Sequence, residues 1–323
     1  NMRTNKFEVY AKWLIRSGLI LLIFTTLLFL LKSGEVDFSK PLNTNIFDHF
    51  GSFIGGLLGA FFSLAGVYLL ILNLKSQELD FIRQQVENRF FELLKIHREN
   101  CNEIILQDKK GREIFKWLQK EIYKCYEVVS DTNNKTKENI QQGDMINIAY
   151  ISFYFGAVGQ YSSKLVRNYL KNISSDFLNV LIAEFENRRD EITQKEKFPY
   201  KLFDGHQSRL DHYFRHIYQT VRYVDQIPNH VLSYRNKYEY ITTFRAQLNT
   251  QEQVLLFFHS LSSIGTKWEM KGAEKLITKY NLIKNIPEGY VSYINLRDYY
   301  PDVKYAGQTE DTENKKKLNI QYQ

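Results

Sequence analysis

Two uncharged and strongly apolar segments lie close together early in the chain. The first covers residues 17–31 and is preceded by Trp13, which suits the membrane interface. The second covers residues 50–74 and is long enough to cross the ~30 Å hydrocarbon core of a bilayer. This pattern predicts transmembrane helices at 13–31 and 50–74, joined by a short loop at 32–49.

Beyond residue 74 the apolar residues recur every three or four positions, which is typical of amphipathic helices. No Gly or Pro interrupts residues 75–107, so we predict a stalk helix there. The prediction as a whole is an all-α membrane protein, with a two-helix N-terminal transmembrane hairpin, a long stalk helix and an α-helical cytoplasmic domain. That sensor domain is predicted at 108–306, with helices at 112–130, 144–170, 174–194, 206–227, 234–248, 250–263 and 269–281, a polar loop at 131–143 and a disordered tail at 307–323.

Lysine and arginine collect at the two ends of the predicted hairpin, whereas acidic residues balance its loop. The positive-inside rule then makes 1–12 a cytoplasmic N-terminus and 32–49 a periplasmic loop. We therefore expect a multi-pass protein of the bacterial inner membrane with both termini in the cytoplasm. The basic residues that flank the hairpin are Arg3, Lys6, Lys12, Arg16, Lys75 and Arg83.

Small residues recur along one stripe of the second apolar segment. Small side chains allow helix backbones to approach closely in lipid. One interpretation is that the stripe packs the hairpin on itself. The other is a homo-oligomer with this helix at its centre, which lines a pore. The predicted pore or oligomer interface consists of Gly51, Gly55, Gly59, Ser63, Gly66 and Asn73.

Composition adds little to this picture, because a net charge of +7 fits an anionic partner without identifying one. The two cysteines, Cys101 and Cys125, do not make a disulfide framework, and we interpret both as reduced structural residues. His206, His212 and His216 invite a zinc interpretation, but their pattern lacks the H-E-x-x-H arrangement. We therefore expect neither a metal nor another cofactor.

Four segments carry a resemblance to a known family: FFELLKIHREN (90–100), GREIFKWL (111–118), DHYFRHIYQTVRYVD (211–225) and RAQLNTQEQVLLFFHSLSSIG (245–265). They resemble the putative phage abortive infection protein family, the AbiC-like membrane proteins of bacterial defence. The resemblance implies an effector that acts at the membrane when infection is sensed. It also extends to the membrane partner of Hailong-type systems, which implies an oligonucleotide, made by a cognate nucleotidyltransferase, that holds the effector closed.

A set of cations and one tyrosine could bind such a ligand. Arginine binds phosphate bidentately and tyrosine stacks on bases. The alternative is that these cations form salt bridges within the chain, with Glu99, Asp211, Asp225 and Glu252 as acidic partners. The predicted ligand site consists of Arg112, Arg215, Tyr218, Arg222, Arg235, Lys237 and Arg245.

Arg209 and His216 fit the R-x4–6-H pattern of HEPN ribonucleases, which is the enzymatic alternative. A third possibility is a passive membrane anchor or sensor for another defence protein. The chain has no P-loop, no G-x-G-x-x-G and no G-x-S-x-G. The leading hypothesis is therefore a non-enzymatic anti-phage effector that oligomerises and forms or gates an inner-membrane pore, which depolarises the membrane.

Overall fold

The computed structural model describes residues 2–32, 44–269 and 274–305, and their regular structure is mostly α-helical. The chain divides into two compact units, residues 1–87 and 88–323. The α-helices of the described residues are α1 (Met2–Lys32), α2 (Thr44–Glu103), α3 (Glu113–Thr136), α4 (Gln142–Phe155), α5 (Gln160–Tyr169), α6 (Ser175–Lys195), α7 (Gln207–Gln226), α8 (Tyr234–Arg245), α9 (Thr250–Leu261) and α10 (Leu276–Tyr280).

In the first unit, α1 and the beginning of α2 pack side by side and run in opposite directions. Phe29 near the end of α1 stacks on Phe50 near the start of α2, with ring centroids 4.0 Å apart. Tyr10 near the start of α1 lies 6.2 Å from Tyr68. Both helices have stretches long and apolar enough to cross a membrane, at Glu8–Lys32 and within Thr44–Glu103, by length and composition.

The glycines of the predicted interface on α2 do not contact α1. A Cβ atom added at Gly51, Gly55, Gly59 or Gly66 would meet no atom within 4 Å. The exposed Ser63 and Asn73 lie on the same helix. The described part of the hairpin therefore packs on itself through other residues, such as the buried Ala11, Ile54 and Ala65.

In the second unit, helix α9 is the most deeply buried element. Its residues 254–258, the sequence VLLFF, have no exposed surface at all. A helix that is apolar all round belongs in a core rather than at a surface. Helices α3 and α4 pack against it and against each other. Neighbouring aromatic rings, such as Phe257 with Tyr300 at 5.9 Å, fill the space around it.

Several predicted boundaries need correction. Helix α2 ends at Glu103, before the predicted stalk end at 107, and a two-stranded antiparallel hairpin follows, β1 (Ile105–Leu106) with β2 (Lys109–Lys110). Helix α3 continues to Thr136, into the predicted loop 131–143, where Thr132 is buried and its hydroxyl donates to the carbonyl of Val128 at 2.7 Å. Helix α2 already begins at Thr44, within the predicted loop 32–49. Residues 33–43 of that loop, and the predicted tail 307–323, lie outside the described residues.

The predicted helix 144–170 is two helices, α4 and α5. Gly156 and Gly159 lie between them with φ angles of +85° and +94°, a backbone conformation that side chains with a Cβ rarely adopt. The predicted helix 269–281 is also wrong. A 3-10 turn at Thr266–Trp268 and the short helix α10 take its place, and residues 270–273 between them lie outside the described part of the chain.

Candidate functional site

A cavity of about 720 Å³ opens along one face of α7. Asp211, Arg215, Tyr218 and Arg222 line it from α7, at the spacing of four, three and four residues that keeps side chains on one helix face. The 3-10 turn Thr266–Trp268 forms the facing wall. The structure thus brings three of the predicted ligand residues, Arg215, Tyr218 and Arg222, into one pocket.

Aromatic rings form the inner surface of this pocket. Trp268 is 1% exposed, and its ring meets Tyr218 edge-on with centroids 5.1 Å apart. The Arg222 guanidinium lies 6.0 Å from the centre of the Tyr218 ring, within range of a cation–π interaction. Phe214 stacks on His259 with ring centroids 4.2 Å apart. A planar ligand would therefore find the half-buried Tyr218 ring beside cations in one cleft, above the buried rings of Phe214 and Trp268.

The cations of the pocket differ in their partners. Arg215 forms a salt bridge with Asp211, one turn away. Arg222 and Lys267 have no salt bridge within the described residues, although Arg222 can donate to the amide oxygen of Gln226 at 3.0 Å. Two cations without a carboxylate partner keep their attraction for an anion. Lys267 and Trp268 were missed by the sequence analysis, because they lie outside any helix that periodicity predicts.

Three of the other predicted cations serve the fold instead. Arg245 is buried and donates to the carbonyl oxygens of Tyr280 and Asn281, at 3.0 and 3.1 Å. Lys237 donates to the carbonyl of Asp225 at 2.9 Å. Burial lowers the pKa of Lys237. Arg235 is exposed and pairs with Glu239 on its own helix. None of the three lines the pocket.

Arg112 is also outside the pocket. It donates to the carbonyl of Gln247 at 2.5 Å and lies 3.9 Å from the Glu252 carboxylate. The alternative of internal salt bridges thus applies to Arg112 with Glu252 and to Arg215 with Asp211. The other two expected acidic partners pair with different cations. The Asp225 carboxylate forms a salt bridge with Lys279, and Glu99 forms one with Lys95.

The ribonuclease pair, Arg209 and His216, does not form a cleft of its own. The Arg209 guanidinium donates to the carbonyls of Ile105 and Gly205, at 3.2 and 3.3 Å. His216 Nε2 lies 3.0 Å from the carbonyl of Leu93. Burial lowers the pKa of His216. Both side chains are thus held by backbone atoms, and neither lines the pocket beside α7.

The histidines named in the zinc interpretation lie apart. His206 is buried, with Nε2 2.8 Å from the Glu121 carboxylate, whereas His212 is exposed. A different cluster has metal-ligating atoms close together in the described part of the chain, namely His97, Cys101 and Glu252. The Glu252 carboxylate is completely buried and accepts hydrogen bonds from the Cys101 thiol at 3.2 Å and from Tyr213 at 2.8 Å.

His259, in the pocket wall, makes the folded state sensitive to acid. Burial lowers its pKa from about 6.5 to about 3, and its Nδ1 forms a hydrogen bond with the Tyr150 hydroxyl at 3.0 Å. Between these two pH values the unfolded chain binds a proton that the folded chain does not. The free energy of unfolding should therefore fall by up to ~1.4 kcal/mol for each pH unit between about 6.5 and about 3. Above about pH 6.5, His259 should cause no such loss.

The measurement is the free energy of unfolding of the full chain in detergent between pH 7.5 and 5, for the unsubstituted chain and for His259→Gln. Glutamine retains a polar partner for Tyr150 and does not titrate. We expect the variant to lose less stability on acidification. Equal slopes of stability against pH for the two proteins would contradict the assignment.

Comparison with known proteins gives one match. Residues 205–291 match the sequence model of a family described as putative phage abortive infection protein. This match confirms the resemblance seen in the sequence, and it covers α7, α8, α9 and the 3-10 turn that faces α7 across the pocket. No curated protein and no solved structure matches the chain.

Proposed function

We propose that this chain, whose residues 205–291 carry the sequence of the phage abortive infection family, is a membrane effector of phage defence. It oligomerises in the inner membrane and forms or gates a pore, without enzymatic activity. An anionic ligand, an oligonucleotide, controls it from the pocket beside α7. The observation that carries this proposal is the position of that pocket, since all but one of its lining residues fall within the family match.

The surface of the first unit supports a membrane location. Trp13, Phe24, Leu31 and Leu70 all have more than two fifths of their surface exposed, on helices that are long enough to span a bilayer. A large exposed apolar surface is unfavourable in water and favourable in lipid. The charge pattern of the hairpin supports cytoplasmic termini and a multi-pass arrangement.

The open face of α2 supports an oligomer. Gly51, Gly55 and Gly59 follow one another at intervals of four residues, and no side chain of the described hairpin covers them. In lipid such a stripe packs closely against another helix. A second copy of the same helix would supply that partner. Ser63, Gly66 and Asn73 extend the face toward the other end of the segment.

The chemistry of the pocket supports an anionic ligand with planar rings. Arg222 and Lys267 offer charge-assisted hydrogen bonds to phosphate oxygens, and Tyr218 offers a ring for stacking. A volume of about 720 Å³ accommodates one or two nucleotides, so a longer ligand would extend beyond it. The partner would then be the protein that makes the oligonucleotide, a cognate nucleotidyltransferase or another defence protein.

The ribonuclease gains no support from the placement of Arg209 and His216, and the passive anchor remains the alternative that the experiment tests.

The test compares membrane potential and growth, with and without phage, in native host cells, which contain the partner that makes the ligand. The pocket variant is Arg222→Glu combined with Lys267→Glu, which reverses both cations that lack a carboxylate partner. If the ligand holds the effector closed, this variant should depolarise uninfected cells and arrest their growth. The unsubstituted chain should depolarise cells only after infection, as reported by a potential-sensitive dye.

The matched control is Lys116→Glu combined with Lys164→Glu, which reverses two exposed cations that lie outside the pocket and form no salt bridge within the described residues. It should behave as the unsubstituted chain does. Growth arrest with an unchanged membrane potential would contradict the pore. A pocket variant that responds to phage as the unsubstituted chain does would contradict ligand control from this pocket, without bearing on the pore.

A further inference from the structure

We propose that His97, Cys101 and Glu252 form a zinc site in the core of the second unit. His97 and Cys101 lie one turn apart on α2, and Glu252 lies on α9. His97 Nε2 is 3.6 Å from Cys101 Sγ, and Sγ is 3.2 Å from Glu252 Oε1. The three ligand atoms all lie within 4.8 Å of one another.

The two separations from Cys101 Sγ, 3.6 Å to His97 Nε2 and 3.2 Å to Glu252 Oε1, are close to those of a tetrahedral metal site. Zinc binds nitrogen at ~2.0–2.1 Å and sulfur at ~2.3 Å, which places neighbouring ligand atoms about 3.5 Å apart. The donor set of one imidazole, one thiolate and one carboxylate suits zinc better than magnesium or calcium, which prefer oxygen alone. The thiolate and the carboxylate together balance the two positive charges of the ion.

The His97 ring gives independent support, because without a metal it is poorly compensated. Its side chain is completely buried, and its Nδ1 has no hydrogen-bond partner among the described residues. The other nitrogen, Nε2, has only the Cys101 sulfur at 3.6 Å. A buried polar group without good partners costs free energy. A bond from Nε2 to zinc would give this nitrogen a strong partner in place of the sulfur at 3.6 Å.

The groups around Glu252 hold it in an orientation that suits a ligand. Tyr213 donates to Oε1 at 2.8 Å, and the backbone N–H of Asn249 donates to Oε2 at 2.7 Å. Such hydrogen bonds fix the direction of a coordinating carboxylate. Zinc would then join α2 to α9, and binding would release the thiol proton of Cys101 to solvent.

The experiment uses the full chain in detergent and measures zinc by mass spectrometry after purification without chelators. The chain should contain about one zinc ion. After removal of the zinc, added Co²⁺ should produce the charge-transfer absorption of a thiolate–cobalt bond. Cys101→Ser should lose both signals. Cys125→Ser is the matched control, because it removes the other buried cysteine and should retain both.

A second variant, Tyr213→Phe, preserves the ring and removes only the hydrogen bond to Glu252. It should lower the affinity for zinc about 10–100-fold, in a titration against a zinc indicator. Absence of the cobalt absorption from the unsubstituted chain would overturn the proposal, whatever its zinc content. So would retention of that absorption in Cys101→Ser, because the thiolate would then come from another residue. These results are independent of the pore and of the ligand pocket.

Discussion

Gly205→Ala is expected to lower the free energy of unfolding by about 4 kcal/mol or more, enough to prevent folding of the second unit. Gly205 has a φ angle of +91°, and a Cβ atom there would lie 2.5 Å from the carbonyl carbon of Phe155. The obstacle is backbone, and a backbone hydrogen bond of 2.9 Å from His206 to Tyr154 fixes the approach of the two segments. Chemical unfolding of the full chain in detergent, followed by circular dichroism, measures the loss.

Gly159→Ala separates the two causes of this loss. Gly159 has a similar φ angle of +94°, but no atom lies within 4 Å of its added Cβ. Its replacement should cost only the conformational strain, about 1–3 kcal/mol. Equal losses for the two variants would contradict the importance of the close approach between residues 155–156 and 204–205. A third variant, Gly143→Ala in the first turn of α4, should be neutral or slightly stabilising.

Local patterns predicted the helices and missed the places where distant segments meet. The apolar spacing gave α7 within one residue at each end, because a three-to-four periodicity is a property of consecutive residues. The break between α4 and α5 was missed, although the pair Gly156 and Gly159 was a signal that could have revealed it. The hairpin after α2 was also missed, since strands of two residues have too few positions to display alternation.

The sequence predicted only the part of the candidate site that lies on a single helix. Arg215, Tyr218 and Arg222 lie on one helix, and their common face follows from their spacing alone. Lys267 and Trp268 reach the pocket through the tertiary fold, which spacing does not specify. Arg245 has the residue type of a ligand-binding cation, but it binds backbone carbonyls of the chain itself. Residue type therefore identified candidate ligand-binding cations. Only the tertiary fold distinguished those that line the pocket from those that bind the chain itself.

Glu252→Ala is expected to lower the free energy of unfolding by about 3–5 kcal/mol, measured with a chelator present so that bound zinc does not contribute. The substitution leaves three donors without their acceptor: the buried Tyr213 hydroxyl, the buried Cys101 thiol and the half-buried backbone N–H of Asn249. It also leaves Arg112 without its nearest carboxylate, 3.9 Å away. Unpaired buried polar groups lose their interaction with water and gain nothing in return. Thermal and chemical unfolding of the full chain both report this loss.

Asn249→Ala isolates the capping part of this effect. Asn249 Oδ1 accepts from the backbone N–H of Glu252 at 2.8 Å, which caps the start of α9. Its removal should cost about 1 kcal/mol, as is usual for a capping residue, and should leave the carboxylate of Glu252 with Tyr213 and Cys101. The difference between the two variants is the contribution of the buried carboxylate. If both variants lost the same stability, α9 would depend on its cap alone, and the buried network around Glu252 would contribute nothing to the fold.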